Sequence, residues 1–137
     1  MQIDPPAAIA GRAMEIVGAP FKLGGRYPHS GLDCVGVVGF VLADHLGSDP
    51  LPHDYALRGE YLDRISAFFD RYTFQRLENA GPRSGDILLC QPSVRQFHLA
   101  VVADHGAVHA HAGLRRVVLS PLPLPWALTG HWRFAGD

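Results

Sequence analysis

One thiol in the first half of the chain is set up for nucleophilic chemistry. In Gly31-Leu32-Asp33-Cys34-Val35-Gly36-Val37-Val38-Gly39-Phe40-Val41-Leu42, a loop rich in Gly, Pro and Ser runs into an apolar segment at helical spacing. Asp33 stands where an N-cap belongs, because its carboxylate can accept from the free N–H groups of a first helical turn. Cys34 then begins the helix, where the positive end of the helix dipole favours thiolate over thiol. The bland alternative is a small buried cysteine in an apolar helix. A thiolate nucleophile needs a base, and the base needs a group that orients it.

Histidine suits that task because its pKa lies near neutrality. Of the eight histidines, four cluster between Phe97 and His111. His29, His45, His53 and His131 read as solvated or satisfied imidazoles, and His105 as an exposed turn residue. Strand alternation places Phe97, Leu99 and Val101 on one face and His98, Ala100 and Val102 on the other. In the next strand, Val108 and Ala110 oppose Ala107, His109 and His111. A two-residue turn that pairs Ala103 with Gly106 keeps the large apolar residues on one side. It brings His98 opposite His111 and diagonal to His109. Small Ala100 then leaves room for the helix end bearing Cys34. Two rival readings of the trio are a three-imidazole zinc site and three satisfied core histidines. No Asp or Glu joins them on that face, so no metal and no cofactor is expected.

The rest of the chain has to position these groups. Asp4 and Pro5 cap and open a first helix, with Ile9, Ala13, Ile16 and Val17 on one face, and Gly18 and Pro20 end it. The cysteine helix is expected from Cys34 to about Leu46. Ser48 to Ala56, with two prolines, reads as an excursion. A third helix is expected from Arg58 to Tyr72, with Leu62, Ile65, Phe68 and Phe69 at helical spacing. After the turn residues Asn79 to Gly85 the period changes to two. Strands are expected at Asp86–Cys90, Phe97–Ala103, Ala107–Ala112, Arg116–Leu119 and His131–Phe134. Pro121, Pro123 and Pro125 keep their segment out of any central strand. Helices followed by an antiparallel meander give an α+β domain, its helices packed on a sheet of about five strands.

The 137 residues suit one domain, 1–137, and 18% charged against 47% apolar residues marks a globular chain. No basic run interleaves with aromatics, so no nucleic-acid partner is expected. No apolar run approaches a membrane span, and no signal peptide is visible at Met1–Pro6. Cys34 and Cys90 read as free thiols.

These residues resemble a known family. Val17-Gly18-Ala19-Pro20-Phe21-Lys22-Leu23-Gly24-Gly25 followed by Ser30-Gly31-Leu32-Asp33-Cys34-Val35-Gly36 is similar to the opening of NlpC/P60 cysteine peptidases. Gly85-Asp86-Ile87-Leu88, His98-Leu99-Ala100-Val101-Val102 and Val108-His109-Ala110 resemble three further family motifs, in the family's order. The resemblance implies a papain-like fold and hydrolysis of peptidoglycan stem peptides. It implies Cys34 as nucleophile, His98 as base and His109 as the orienting third residue. It places Asp33, Phe21 and Val35 by the substrate, with His111 beside them. Asp33 would receive a peptide amine. Phe21 and Val35 stand where the family usually has Tyr and Ser, which puts its usual bond preference in doubt. The stretch from Leu46 to Gly85 is similar to phage-type members associated with tails and gene-transfer particles. That implies tail or particle components as partners, and a cytoplasmic or particle-associated protein acting at the cell wall. Two other functions fit the same residues: a structural tail module whose site is idle, and an amidase or acyltransferase using the same triad.

Overall fold

Residues 4–46, 58–71, 74–93 and 96–135 are described by a computed structural model. Helix α1 (Pro5–Glu15) starts on Asp4, whose carboxylate accepts from the Ala7 N–H, and it buries Ile9 and Ala13. Two short strands, β1 (Arg26–Tyr27) and β2 (Gly31–Leu32), pair antiparallel in the loop before the cysteine. Helix α2 (Cys34–Val41) follows, then a single turn of helix, α3 (Ala43–Leu46). The one helix expected from Cys34 to Leu46 is therefore broken at Leu42. Its two glycines and four valines are poor helix formers, and the segment is held mainly by burial of Val35, Val37, Val38 and Val41.

Helix α4 (Arg58–Arg71) buries Ile65, Phe68 and Phe69. The excursion at Ser48–Ala56 with His53, and Tyr72, lie outside the described residues. Six strands follow: β3 (Phe74–Arg76), β4 (Ile87–Ser93), β5 (Gln96–Ala103), β6 (Gly106–His111), β7 (Arg116–Ser120) and β8 (Ala127–Phe134). They form one antiparallel sheet in the order β3-β8-β4-β5-β6-β7. The strand beyond the expected five is β3. Three residues are too short to show alternation. Pairing of Phe74 with Phe134 and edge-on contact with Phe69 define it instead.

The two sheet faces are covered differently. Ile87, Leu89, Leu99, Val101, Val108 and Ala110 share one core with residues of α1, α2 and α4. Leu88, Cys90, Ala100, Val102 and Ala107 lie on the other face beneath Leu122, Leu124 and Trp126 of the proline-rich strap before β8. The helix bearing Cys34 thus does not approach over Ala100. Its valine-rich surface packs on the larger apolar side chains, which offer more area to remove from water.

One buried polar network closes the sheet against the loop before β4. Asp86 is fully buried and accepts from His131 Nε2 at 2.6 Å, from Arg133 Nε and Nη2 at 2.9 and 2.8 Å, and from the Arg83 N–H at 2.9 Å. Burial raises its pKa, but the bonds from Arg133 and His131 outweigh burial and hold the carboxyl below its usual value. Removing it strands a guanidinium and an imidazole. Asp86→Ala should cost ~3–5 kcal/mol in denaturant unfolding, as for other broken buried pairs; a loss below ~1 kcal/mol would contradict the assignment.

Candidate active site

The position of Cys34 is set by Asp33. Its Oδ1 accepts from the Gly36 N–H at 2.8 Å, capping α2, and from Arg26 Nη1 at 3.0 Å. Its Oδ2 accepts from the Gly24 N–H at 2.7 Å. One carboxylate thus ties the helix start to the Gly24–Arg26 stretch of the preceding loop. The loop presses close: a Cβ on Gly36 would lie 2.1 Å from the Gly25 carbonyl oxygen, so no larger residue fits there. Behind it, Gly18 to Lys22 runs extended between β7 and β2. It is held by the Gly18 N–H to the Val117 carbonyl, the Phe21 N–H to Arg115 and the Leu32 N–H to Pro20.

The histidines come from strand register. β5 pairs with β6 through Val101 with Val108, Val102 with Ala107 and Ala103 with Gly106, the two-residue turn that alternation requires. Toward His98 and His111 the recorded pairing stops. There His98 Nε2 lies 2.8 Å from His109 Nδ1, with the rings nearly perpendicular. His109 Nε2 lies 2.7 Å from Ser120 Oγ. Trp126 sets its ring edgewise against both imidazoles, at centroid distances of 5.1 Å from His98 and 5.7 Å from His109.

A cleft of about 490 Å³ opens where Cys34, His98 and His109 converge. Its walls are largely apolar, with Phe21, Phe97, Pro92 and Trp126 among them, and Asp33 and His111 also border it. His111 Nδ1 accepts from the Leu114 N–H at 3.1 Å, which fixes its ring at the rim. Two expected substrate contacts change role. Val35 is 1% exposed, packed in the helical core and absent from the cleft wall, because the second residue of α2 faces the sheet. Asp33 borders the cleft but its carboxylate is already engaged, so a peptide amine would have to compete with Arg26.

Electrostatics also differ from the dipole argument. Burial pushes the Cys34 thiol up to about 12; a backbone hydrogen bond at Leu99 opposes this, and the Asp33 carboxylate adds to it. Burial, with the neighbouring His109 and His111, pushes His98 down to about 4, and burial and His111 do the same to His109. These shifts favour the uncharged forms, a thiol and neutral imidazoles, over the thiolate expected from the helix end. The helix dipole acts on Cys34, but desolvation of the charge is the larger effect.

Two residues escape sequence reasoning. Ser120 lies one residue beyond the expected end of its strand. It is in phase with Val118, which pairs with His109, so extending the alternation by one residue would have found it. Trp126 follows three prolines in a segment without periodicity, and no sequence signal points to it. Among the described residues no group of His, Cys, Asp and Glu is arranged to hold a metal ion.

A cysteine opening a helix, laid on an antiparallel sheet that carries paired histidines, is a papain-like α+β arrangement. More narrowly, the chain has the NlpC/P60 fold. It superposes on NlpC1 of Trichomonas vaginalis with a TM-score of 0.74 at 17% identity, over 97% of this chain and 46% of that one. The NlpC/p60 domain of the peptidoglycan hydrolase SagA gives 0.65 at 21% identity, over 96% of this chain and 99% of that one. The peptidoglycan hydrolase RipB of Mycobacterium tuberculosis gives 0.64 at 18% identity, over 97% and 65%. The chain spans about half the length of the two T. vaginalis structures it matches. No protein-family model and no curated protein sequence matches it.

Two measurements probe this electrostatic setting. Iodoacetamide should label half-buried Cys34 ahead of Cys90, which is 1% exposed. The Cys34 rate should keep climbing above pH 9, because the thiolate is the reactive form and burial holds its pKa near 12. A plateau at neutral pH would show a resting thiolate instead. The imidazoles stay neutral in the fold down to about pH 4 and titrate near 6.5 when unfolded. Their neutral form thus contributes stability above 6.5 that is lost as pH falls toward 4. Trp126→Ala admits water to both rings, so their NMR titration midpoints should move up toward 6.5 and that acid-side loss should shrink. Unmoved midpoints would remove Trp126 as the shield.

Proposed function

We propose that this chain is a cysteine hydrolase of the NlpC/P60 family that cleaves an amide bond in peptidoglycan stem peptides. The observation that carries the proposal is the 2.8 Å contact between His98 and His109, in the same cleft as a thiol at a capped helix start. The fold shared with SagA and RipB, both described as peptidoglycan hydrolases, supports the substrate class.

The substrate carbonyl lies in the cleft beside Cys34. His98 takes the thiol proton as the sulfur attacks the carbonyl carbon, so no resting ion pair is required. The backbone N–H of Cys34, at the open end of α2, stabilises the oxyanion. The His98 imidazolium then protonates the leaving amine and the C–N bond breaks, leaving a thioester. Water, deprotonated by His98, attacks the thioester, releases the free acid and restores the thiol. His109 orients His98 and stabilises its charged form. Phe21, Phe97 and Trp126 keep water away and strengthen each electrostatic contact.

Incubation with defined muropeptides followed by mass spectrometry tests the proposal. Two fragments whose masses sum to substrate plus one water are expected, and Cys34→Ala should abolish them with little change in thermal stability. A product lacking the free acid would mean acyl transfer; intact muropeptides throughout would remove the peptidoglycan assignment. His109→Ala should retain more activity than His98→Ala, since an orienting group contributes less than the base it orients.

A further inference from the structure

We propose that Ser120 is a positioning residue that fixes the proton arrangement of the histidine pair, through its hydroxyl oxygen on His109 Nε2. The proposal rests on the reading that His98 is the base for Cys34.

Hydrogen-bond bookkeeping leads to it. His98 Nε2 is engaged with His109 Nδ1, so Nδ1 is the one nitrogen His98 has left for the thiol. To accept a proton there, neutral His98 must carry its own proton on Nε2 and donate it to His109 Nδ1. His109 must then be an acceptor at Nδ1 and a donor at Nε2. Its Nε2 partner is Ser120 Oγ, 2.7 Å away, which accepts. The opposite arrangement also satisfies Ser120 and His109, but it turns a His98 N–H toward an uncharged thiol sulfur, a weak acceptor, so it is the poorer one at rest. Ser120 would donate to His109 Nε2, His109 Nδ1–H would donate to His98 Nε2, and His98 would present N–H rather than a lone pair to the sulfur. That arrangement has no base.

The intermediate decides between the two. Once His98 has taken the thiol proton it carries N–H on both nitrogens. His109 Nδ1 must then accept, or two N–H groups would face each other across 2.8 Å. His109 in turn must place its proton on Nε2, where Ser120 receives it. The bond to Ser120 is therefore demanded most strongly when charge develops, which is how a group raises kcat rather than substrate affinity. His109 is 1% exposed, so an Nε2–H without a partner has little access to water.

The architecture holds Ser120 in place. It ends β7, paired with Ala107 and diagonal to His109. The neighbouring strand comes so close that a Cβ on Gly106 would sit 2.2 Å from the Ser120 carbonyl oxygen.

Imidazole ¹⁵N spectra of the full chain at neutral pH, assigned with the His98→Ala and His109→Ala variants, test the proposal without any substrate. His109 in the unmutated protein should carry its proton on Nε2. Ser120→Ala should populate the Nδ1–H form and reduce kcat on muropeptides by on the order of tenfold with KM unchanged, the scale of losing a partner behind a functional histidine. Ser120→Thr, which keeps the oxygen, should restore both. A His109 proton on Nδ1 in the unmutated protein would overturn the proposal, as would a Ser120→Ala protein with unaltered tautomer and kcat. If the spectra come out as expected while no muropeptide is cleaved, the peptidoglycan assignment fails and the role of Ser120 stands on the spectra.

Discussion

The Asp33 carboxylate is the constraint on which the site depends. It gathers the first turn of α2, the Gly24 N–H and the Arg26 guanidinium onto two oxygen atoms. Without it the Gly36 N–H at the start of the cysteine helix, the Gly24 N–H and the Arg26 guanidinium would lose a shared acceptor. The helix itself is a weak one by propensity. Its apolar surface docks it onto the sheet, while Asp33 decides where it starts and hence where the sulfur sits. Tethering and docking together bring a side chain from the helical layer to the place where β5 and β6 part. There it lines the same cleft as His98 and His109.

That cleft is walled largely by apolar side chains, and this bears on its charge. A charged pair costs more in a desolvated cleft than a neutral one, so thiol and imidazole rest uncharged. Charge then has to appear during reaction. In the proposed reaction the groups placed for that moment are backbone N–H groups at the start of α2 and the chain of contacts from His98 through His109 to Ser120.

Much of this was legible in the sequence because alternation and capping are local rules. The turn at Asp104-His105, the phase of His98 and His109, and the Asp33 cap all followed from spacing. Three things did not. The room left by Ala100 points to the wrong helix face, because the larger apolar area of Leu99, Val101 and Val108 decides it. The charge state of Cys34 was read from the helix dipole alone, because burial is a tertiary property that no window of residues displays. The strand at Phe74–Arg76 exists through its partner and its aromatic contacts rather than through its own pattern.

The contact between Gly36 and the Gly25 carbonyl also bears on how such a cleft can vary. With an oxygen already occupying the space of a side chain, the loop and the helix that Cys34 opens form a single hard surface. Residues at that seam cannot diversify without pushing the sulfur out of line. Just beyond it, Leu23, Tyr27, His29 and Ser30 are exposed to solvent. Variation is thereby channelled outward. The floor beneath the sulfur has no room for larger side chains, and the rim is the part of the molecule with space to meet new molecular shapes.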